Sequence, residues 1–140
     1  YLMTNYNTLP LASKPAAMKE FVRATVTLLK EGNFVLIYPE QSMWWNYRKP
    51  KPLKSGGFYF AAKNRVPVLP CYIILRDSDI IGEDGFPVQE YTIHILEPIH
   101  PDVDKSVSEN SKIMMEKNFE VWKQLYEREY GIPLEYTTEM

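Results

Sequence analysis

Apolar positions recur along this chain with two different periods, and those periods divide it into elements. Met18, Phe21, Val22, Thr25, Leu28 and Leu29 return at three and four, with Lys19, Arg23 and Lys30 on other faces. That spacing predicts an amphipathic helix. Ser13 and Pro15 suit its first turn and Gly32 its end. Phe34 to Tyr38 is apolar without alternation and stops at Pro39, which predicts a strand covered on both faces. Residues 39–54 read as a long loop, and a loop of that length in a compact domain is usually functional or mobile. Ser55-Gly56-Gly57 opens a short helix over Phe58 to Asn64, with Phe58, Ala61 and Ala62 facing inward. The two glycines suit an anion cradle at a helix start or close packing of helix on sheet, and both readings stay open.

Val66 to Leu75 is expected to be a second buried strand, restricted to an edge or an entry position by Pro67 and Pro70. Gly82 to Gly85 is a turn, and Val88 to Leu96 alternates like a half-exposed outer strand. Ser106-Val107-Ser108-Glu109 has the capping-box pattern. After it Val107, Met114, Phe119, Trp122, Leu125 and Tyr126 form an apolar stripe ending at Gly131. Helix, strand, loop, helix, strand is a βαβ-like rhythm that favours a right-handed parallel crossover. The expected class is therefore α/β, a mixed sheet flanked by helices and closed by a C-terminal amphipathic helix, with residues 1–140 as one domain.

Composition narrows this further. With 140 residues and 45% apolar content the chain can close one core. A net charge of -2 hides an asymmetry: residues 1–76 carry 11 Lys and Arg against 3 Asp and Glu, whereas residues 77–140 carry 5 against 15. A basic half beside an acidic half suits an anionic ligand or two complementary surfaces. The single cysteine, Cys71, sits in an apolar run and reads as a small buried hydrophobe in a reducing compartment. Metal-ligand spacing, phosphate-binding glycine loops, a Gly-x-Ser-x-Gly elbow and nucleic-acid-binding motifs are all absent from the sequence. Neither a transmembrane helix nor a signal peptide is legible.

The chemistry concentrates where the first strand stops. Glu40 follows Pro39 directly, at the position where open α/β sheets put their ligands, and it marks the expected active-site rim. A carboxylate is a poor base for a hydroxyl unless its pKa is raised, so Glu40 is assigned positioning rather than proton removal. The bland alternative is a strand-end carboxylate satisfied by a nearby cation. Downstream, Arg48, Lys49, Lys51 and Lys54 lie beside Trp44, Trp45 and Tyr47. Cations with amphipathic rings suit a lipid headgroup surface, so Trp44, Trp45 and Tyr47 are expected to face a membrane. Arg48 is then the best candidate for a phosphate ligand. A solvated charge run with a tryptophan tucked into the core is the alternative.

Tyr38-Pro39-Glu40-Gln41-Ser42, Lys54-Ser55-Gly56 and Val66-Pro67-Val68-Leu69-Pro70, in that order and spacing, resemble the lysophospholipid acyltransferase family. This family includes the 1-acyl-glycerol-3-phosphate acyltransferases. The resemblance covers residues 9–100 and implies the C-terminal part of a glycerolipid acyltransferase domain. It implies fatty acyl transfer from acyl-CoA or acyl-carrier protein, as co-substrate and without a cofactor, to a lysophospholipid or glycerol-phosphate hydroxyl at the cytoplasmic face of a membrane. Carried over by position, Glu40 matches the Glu of the third motif, Gln41 its Gly and Ser42 its Thr. With Arg48, Lys49 and Lys54, Gln41 and Ser42 make up the implied substrate-binding set.

Met43 stands where the family carries Arg, and Leu9 to Lys14 occupy the second motif without its Arg. These departures weaken the case for glycerol-3-phosphate-type acceptors. His94 and His100 both follow the third motif, so neither fits the family's His-x4-Asp, which is expected upstream of Tyr1. The chain alone is accordingly expected to be inactive, and a missing half-sheet would leave an edge prone to self-association. The rival reading is a non-catalytic lipid- or partner-binding remnant of the same fold.

Overall fold

The computed structural model describes residues 15–40, 42 and 47–136. The chain forms two compact units, the first running to Ile37 and the second beginning at Tyr38. Helix α1, Pro15–Lys30, builds the first. Thr25 is its buried residue, with Oγ1 donating to the Phe21 carbonyl at 2.9 Å, while Phe21, Val22, Leu28 and Leu29 are half-buried. Gly32 ends the helix at φ +80°. There its N–H donates to Leu29 and that of Asn33 to Leu28, a double bond pattern that satisfies two terminal carbonyls.

Beyond this cap, Phe34 to Tyr38 does not form the expected covered strand. Phe34, Leu36 and Tyr38 are 92%, 73% and 74% exposed, and no described residue forms a ladder with the segment. An apolar run becomes a strand only when a neighbour pairs with it and covers its faces. Among the described residues the parallel crossover predicted from this strand does not form, and the sheet is a two-stranded antiparallel hairpin.

That hairpin belongs to the second unit, with β1 at Cys71–Ile81, β2 at Pro87–Ile95 and the pairs Cys71↔Ile95, Ile73↔Ile93 and Leu75↔Tyr91. Its turn lies where the glycines stand, with Gly85 at φ +81° and the Gly82 N–H donating to the Phe86 carbonyl at 2.8 Å. β1 starts five residues later than Val66, because the one bridge in Val66 to Pro70 among the described residues is the isolated Val68–Ile99 pair, bonded reciprocally at 3.0 and 2.8 Å, while the Val66 N–H turns back to the Ala61 carbonyl at 3.1 Å. Prolines at 67 and 70 leave too few donors for a ladder there. Strand parity also corrects Cys71. Tyr72 and Ile74 point into the core, so Cys71 and Ile73 face outward and the thiol is exposed.

Helix α2, Gly56–Asn64, buries Phe58, Ala61 and Ala62 as its spacing predicts. Helix α3, Val107–Tyr130, opens on the capping box: Ser106 Oγ accepts from the Glu109 N–H at 3.2 Å and Glu109 accepts from the Ser106 N–H at 2.9 Å. Gly131 closes α3 at φ +67°. One core cluster joins α2 to α3 through Phe58, Ala61, Ala62, Ile99 and Met114. A second joins β1 to α3 through Tyr72, Ile74, Trp122, Leu125 and Tyr126, and Leu53 packs on both. The architecture is thus mixed α/β with a C-terminal amphipathic helix. Among the described residues, no helix is long and apolar enough to cross a membrane.

Candidate active site

The Pro-Glu turn is fastened to the far end of its own loop. The Pro39 carbonyl accepts the Lys54 N–H at 2.9 Å, and Glu40 Oε1 accepts the Lys51 N–H at 3.1 Å. Two residues of the turn are therefore tied to two residues three apart, which closes the loop into a ring at its base. Glu40 is half-buried, and its carboxylate accepts from main chain at Lys51. Ser42, exposed, follows on the turn, and its carbonyl and hydroxyl both accept from the Lys51 ammonium, the hydroxyl at 3.3 Å. The ammonium also lies 5.9 Å from the centre of the Tyr47 ring.

The other basic residues part company. Arg48 donates to Asp77 Oδ1 at 2.6 Å and to Gln89 Oε1 at 3.3 Å, so its guanidinium is engaged by the hairpin. Asp77 in turn is held below the usual carboxylate range by the Gln89 hydrogen bond and by Arg48. Lys49 donates from Nζ to the Glu135 carbonyl at 2.6 Å. Lys54 is exposed and meets the turn through its main chain. Gln41, Trp44 and Trp45, together with Met43, lie outside the described residues. Tyr47 is described and half-buried.

Phenols underpin the loop. Tyr72 reaches from β1 to donate to the Arg48 carbonyl at 2.7 Å, and Tyr136 donates to the Pro50 carbonyl at 2.6 Å. Burial, and then the nearby Glu40 carboxylate, push the Tyr72 hydroxyl well above its ordinary value. Tyr47 is raised for the same two reasons in the same order. Tyr136 is raised chiefly by burial, with Tyr47 and Glu40 contributing.

Three residues of this frame escape a reading by charge and motif alone. Lys51 counts as one cation of a basic run, yet it is 6% exposed. The prolines flanking it at 50 and 52, which remove competing donors and stiffen the chain, are the signal that sets it apart. Tyr72 reads only as strand apolarity, and Tyr136 lies beyond the last predicted helix. The α2 start shows no side-chain cap on Ser55, whose carbonyl accepts from Tyr59 N–H at 2.9 Å and from Ser111 Oγ at 3.2 Å. An open hollow of about 210 Å³ lies elsewhere on this unit, lined by Leu96, Glu97, Val121, Gln124, Leu125 and Arg128, and touches none of the predicted site residues.

No curated protein and no solved structure matches the chain. A model of the acyltransferase family matches residues 1–74, which takes in the Pro-Glu turn, the ring of the loop, α2 and the entry to β1. On that match, which spans more than half of the 140 residues, the chain belongs to the acyltransferase family, and its α/β fold is that of a partial acyltransferase domain.

Proposed function

We propose that the protein transfers a fatty acyl group from an acyl thioester, acyl-CoA or acyl-carrier protein, to the hydroxyl of a lysophospholipid or glycerol phosphate. The observation that carries this reading is the fastened Pro39–Glu40 turn inside the span of the family match, with Glu40 held by the Lys51 N–H. A carboxylate accepting main-chain hydrogen bonds is suited to orienting a loop or an acceptor hydroxyl, and it is a weak proton acceptor for an alcohol. These residues are accordingly assigned acceptor positioning, and proton removal is assigned to a base outside this frame. Ser42 offers a hydroxyl on the same turn and Lys54 an exposed ammonium at the base of the loop, a pair suited to an anionic headgroup. The aromatic and basic loop fits a membrane surface at the cytoplasmic face.

The test is thiol release from palmitoyl-CoA with lysophosphatidate in mixed micelles, run on the full-length protein. Glu40→Gln is expected to lower kcat/KM by about tenfold or more, since misplacement of a reacting group is costly even without loss of the base. Unchanged turnover removes Glu40 from the mechanism. Absence of transfer from any acyl thioester, with lipid binding retained, favours the binding remnant instead.

A further inference from the structure

Lys51 is the residue of this molecule whose surroundings its position in a basic run does not explain. A cation at 6% exposure persists only when its donors are taken up, and here the Ser42 carbonyl, the Ser42 hydroxyl at 3.3 Å and the Tyr47 ring face surround it. Its main-chain N–H meanwhile holds Glu40 at 3.1 Å. One residue therefore grips the turn on both sides of position 41, by main chain before it and by side chain after it. Three other bonds of the frame do not use the ammonium: Lys54 holds Pro39, Tyr72 holds Arg48 and Tyr136 holds Pro50. Removing the charge alone would thus leave Glu40 fastened and release Ser42.

We propose that Lys51 is a positioning residue for the acceptor: its buried ammonium fixes Ser42 at the geometry in which the turn meets the acceptor's polar head. This role rests on the acyl-transfer reading above. Lys51 acts through Ser42 and does not itself touch substrate. A clamp of this kind affects acceptor binding more than the chemical step, because the reacting hydroxyl is still oriented at Glu40.

The experiment is Lys51→Met in the full-length protein, which keeps the stem length and the main-chain N–H while deleting the charge. With lysophosphatidate as varied substrate, the acceptor KM is expected to rise about tenfold, while kcat and the KM for palmitoyl-CoA stay within about twofold. Amide hydrogen exchange gives a readout independent of activity. It is expected to quicken at Ser42 and to remain unchanged in α2, β1 and α3. Ser42→Ala, at an exposed position, keeps the test open should Lys51→Met not fold, with an expected rise of about threefold in acceptor KM. Adding Ser42→Ala to Lys51→Met is expected to raise it no further.

Exchange unaltered by Lys51→Met overturns the proposal, as do equal losses in kcat and both KM values, additive effects of the two substitutions, or an unmoved acceptor KM in Ser42→Ala. A wild-type protein that transfers no acyl group overturns the underlying reading instead, and that outcome is visible before any substitution is made.

Discussion

Trp122 is the side chain whose removal most directly tests how the second unit is held together. It is 6% exposed on the inner face of α3, with its ring centre 5.3 Å from that of Tyr72, and it completes a cluster with Ile74, Leu125 and Tyr126. Burying a tryptophan removes about 150–250 Å² from water, which at about 25 cal/mol per Å² is worth roughly 4–6 kcal/mol. The tilted ring pair adds about 0.5–1.5 kcal/mol. Against this, Trp122 Nε1 is buried and finds no acceptor among the described residues. An orphan donor of that kind costs about 1–3 kcal/mol, which truncation returns. Trp122→Ala should therefore destabilise by about 3–5 kcal/mol once the remaining cavity is counted. Trp122→Phe keeps most of the ring and discards the orphan donor, so it should cost under about 1.5 kcal/mol. Urea unfolding followed by far-ultraviolet circular dichroism measures both. A loss below about 1 kcal/mol for the alanine variant would mean that α3 is not docked through this cluster. A phenylalanine variant as unstable as the alanine one would refute the orphan donor.

Asn110 is 1% exposed and ties the Asp102–Ser106 turn to α3, accepting from the Asp102 N–H at 2.7 Å and donating to the carbonyls of Asp102, Lys105 and Ser106. Asn110→Ala should cost about 2–4 kcal/mol at about 1 kcal/mol per net bond, and a urea midpoint unmoved from wild type would refute that. Tyr47, Tyr72, Tyr126 and Tyr136 all titrate above their ordinary value, chiefly through burial. A raised folded value means that the folded chain holds its protons when the unfolded chain has lost them, so stability is full below pH about 10 and falls as pH rises beyond it. Thermal melts across the alkaline range should show that fall, with tyrosinate absorbance lagging free tyrosine; a flat Tm to about pH 11 with normal titration would refute it.

Local signals were legible wherever a few residues settle the matter among themselves. Ser106 and Glu109 close their capping box, Gly32 and Gly131 take the left-handed caps their positions require, and Phe58, Ala61 and Ala62 turn inward on α2. What failed depended on a partner distant in sequence. Phe34 to Tyr38 has the composition of a covered strand, but a strand exists through its neighbour, and no described residue supplies one. Cys71 departs from its expected burial for a related reason: a run of apolar residues does not say which parity faces the core, and here α3 covers Tyr72 and Ile74. Periodicity also passed over Asn110, Ser111 and Asn118, all buried on α3, because polar residues on an inner face break the stripe they belong to.

The same limit governs the site. Four cations beside aromatic rings read as one surface, whereas the fold sorts them by what each can reach. Asp77 and Gln89 claim the Arg48 guanidinium, the Glu135 carbonyl claims the Lys49 ammonium, and Ser42 claims that of Lys51. Only the Lys54 side chain meets no partner among the described residues while its main chain is fastened to Pro39. An anionic headgroup arriving at Arg48 would have to displace a carboxylate at 2.6 Å, an exchange of one charge-assisted bond for another with little net gain. At Lys54 the same headgroup would meet a cation whose hydration is all it gives up. Under the proposed function, the phosphate contact therefore shifts from the residue best suited by chemical type to the residue left available by the fold.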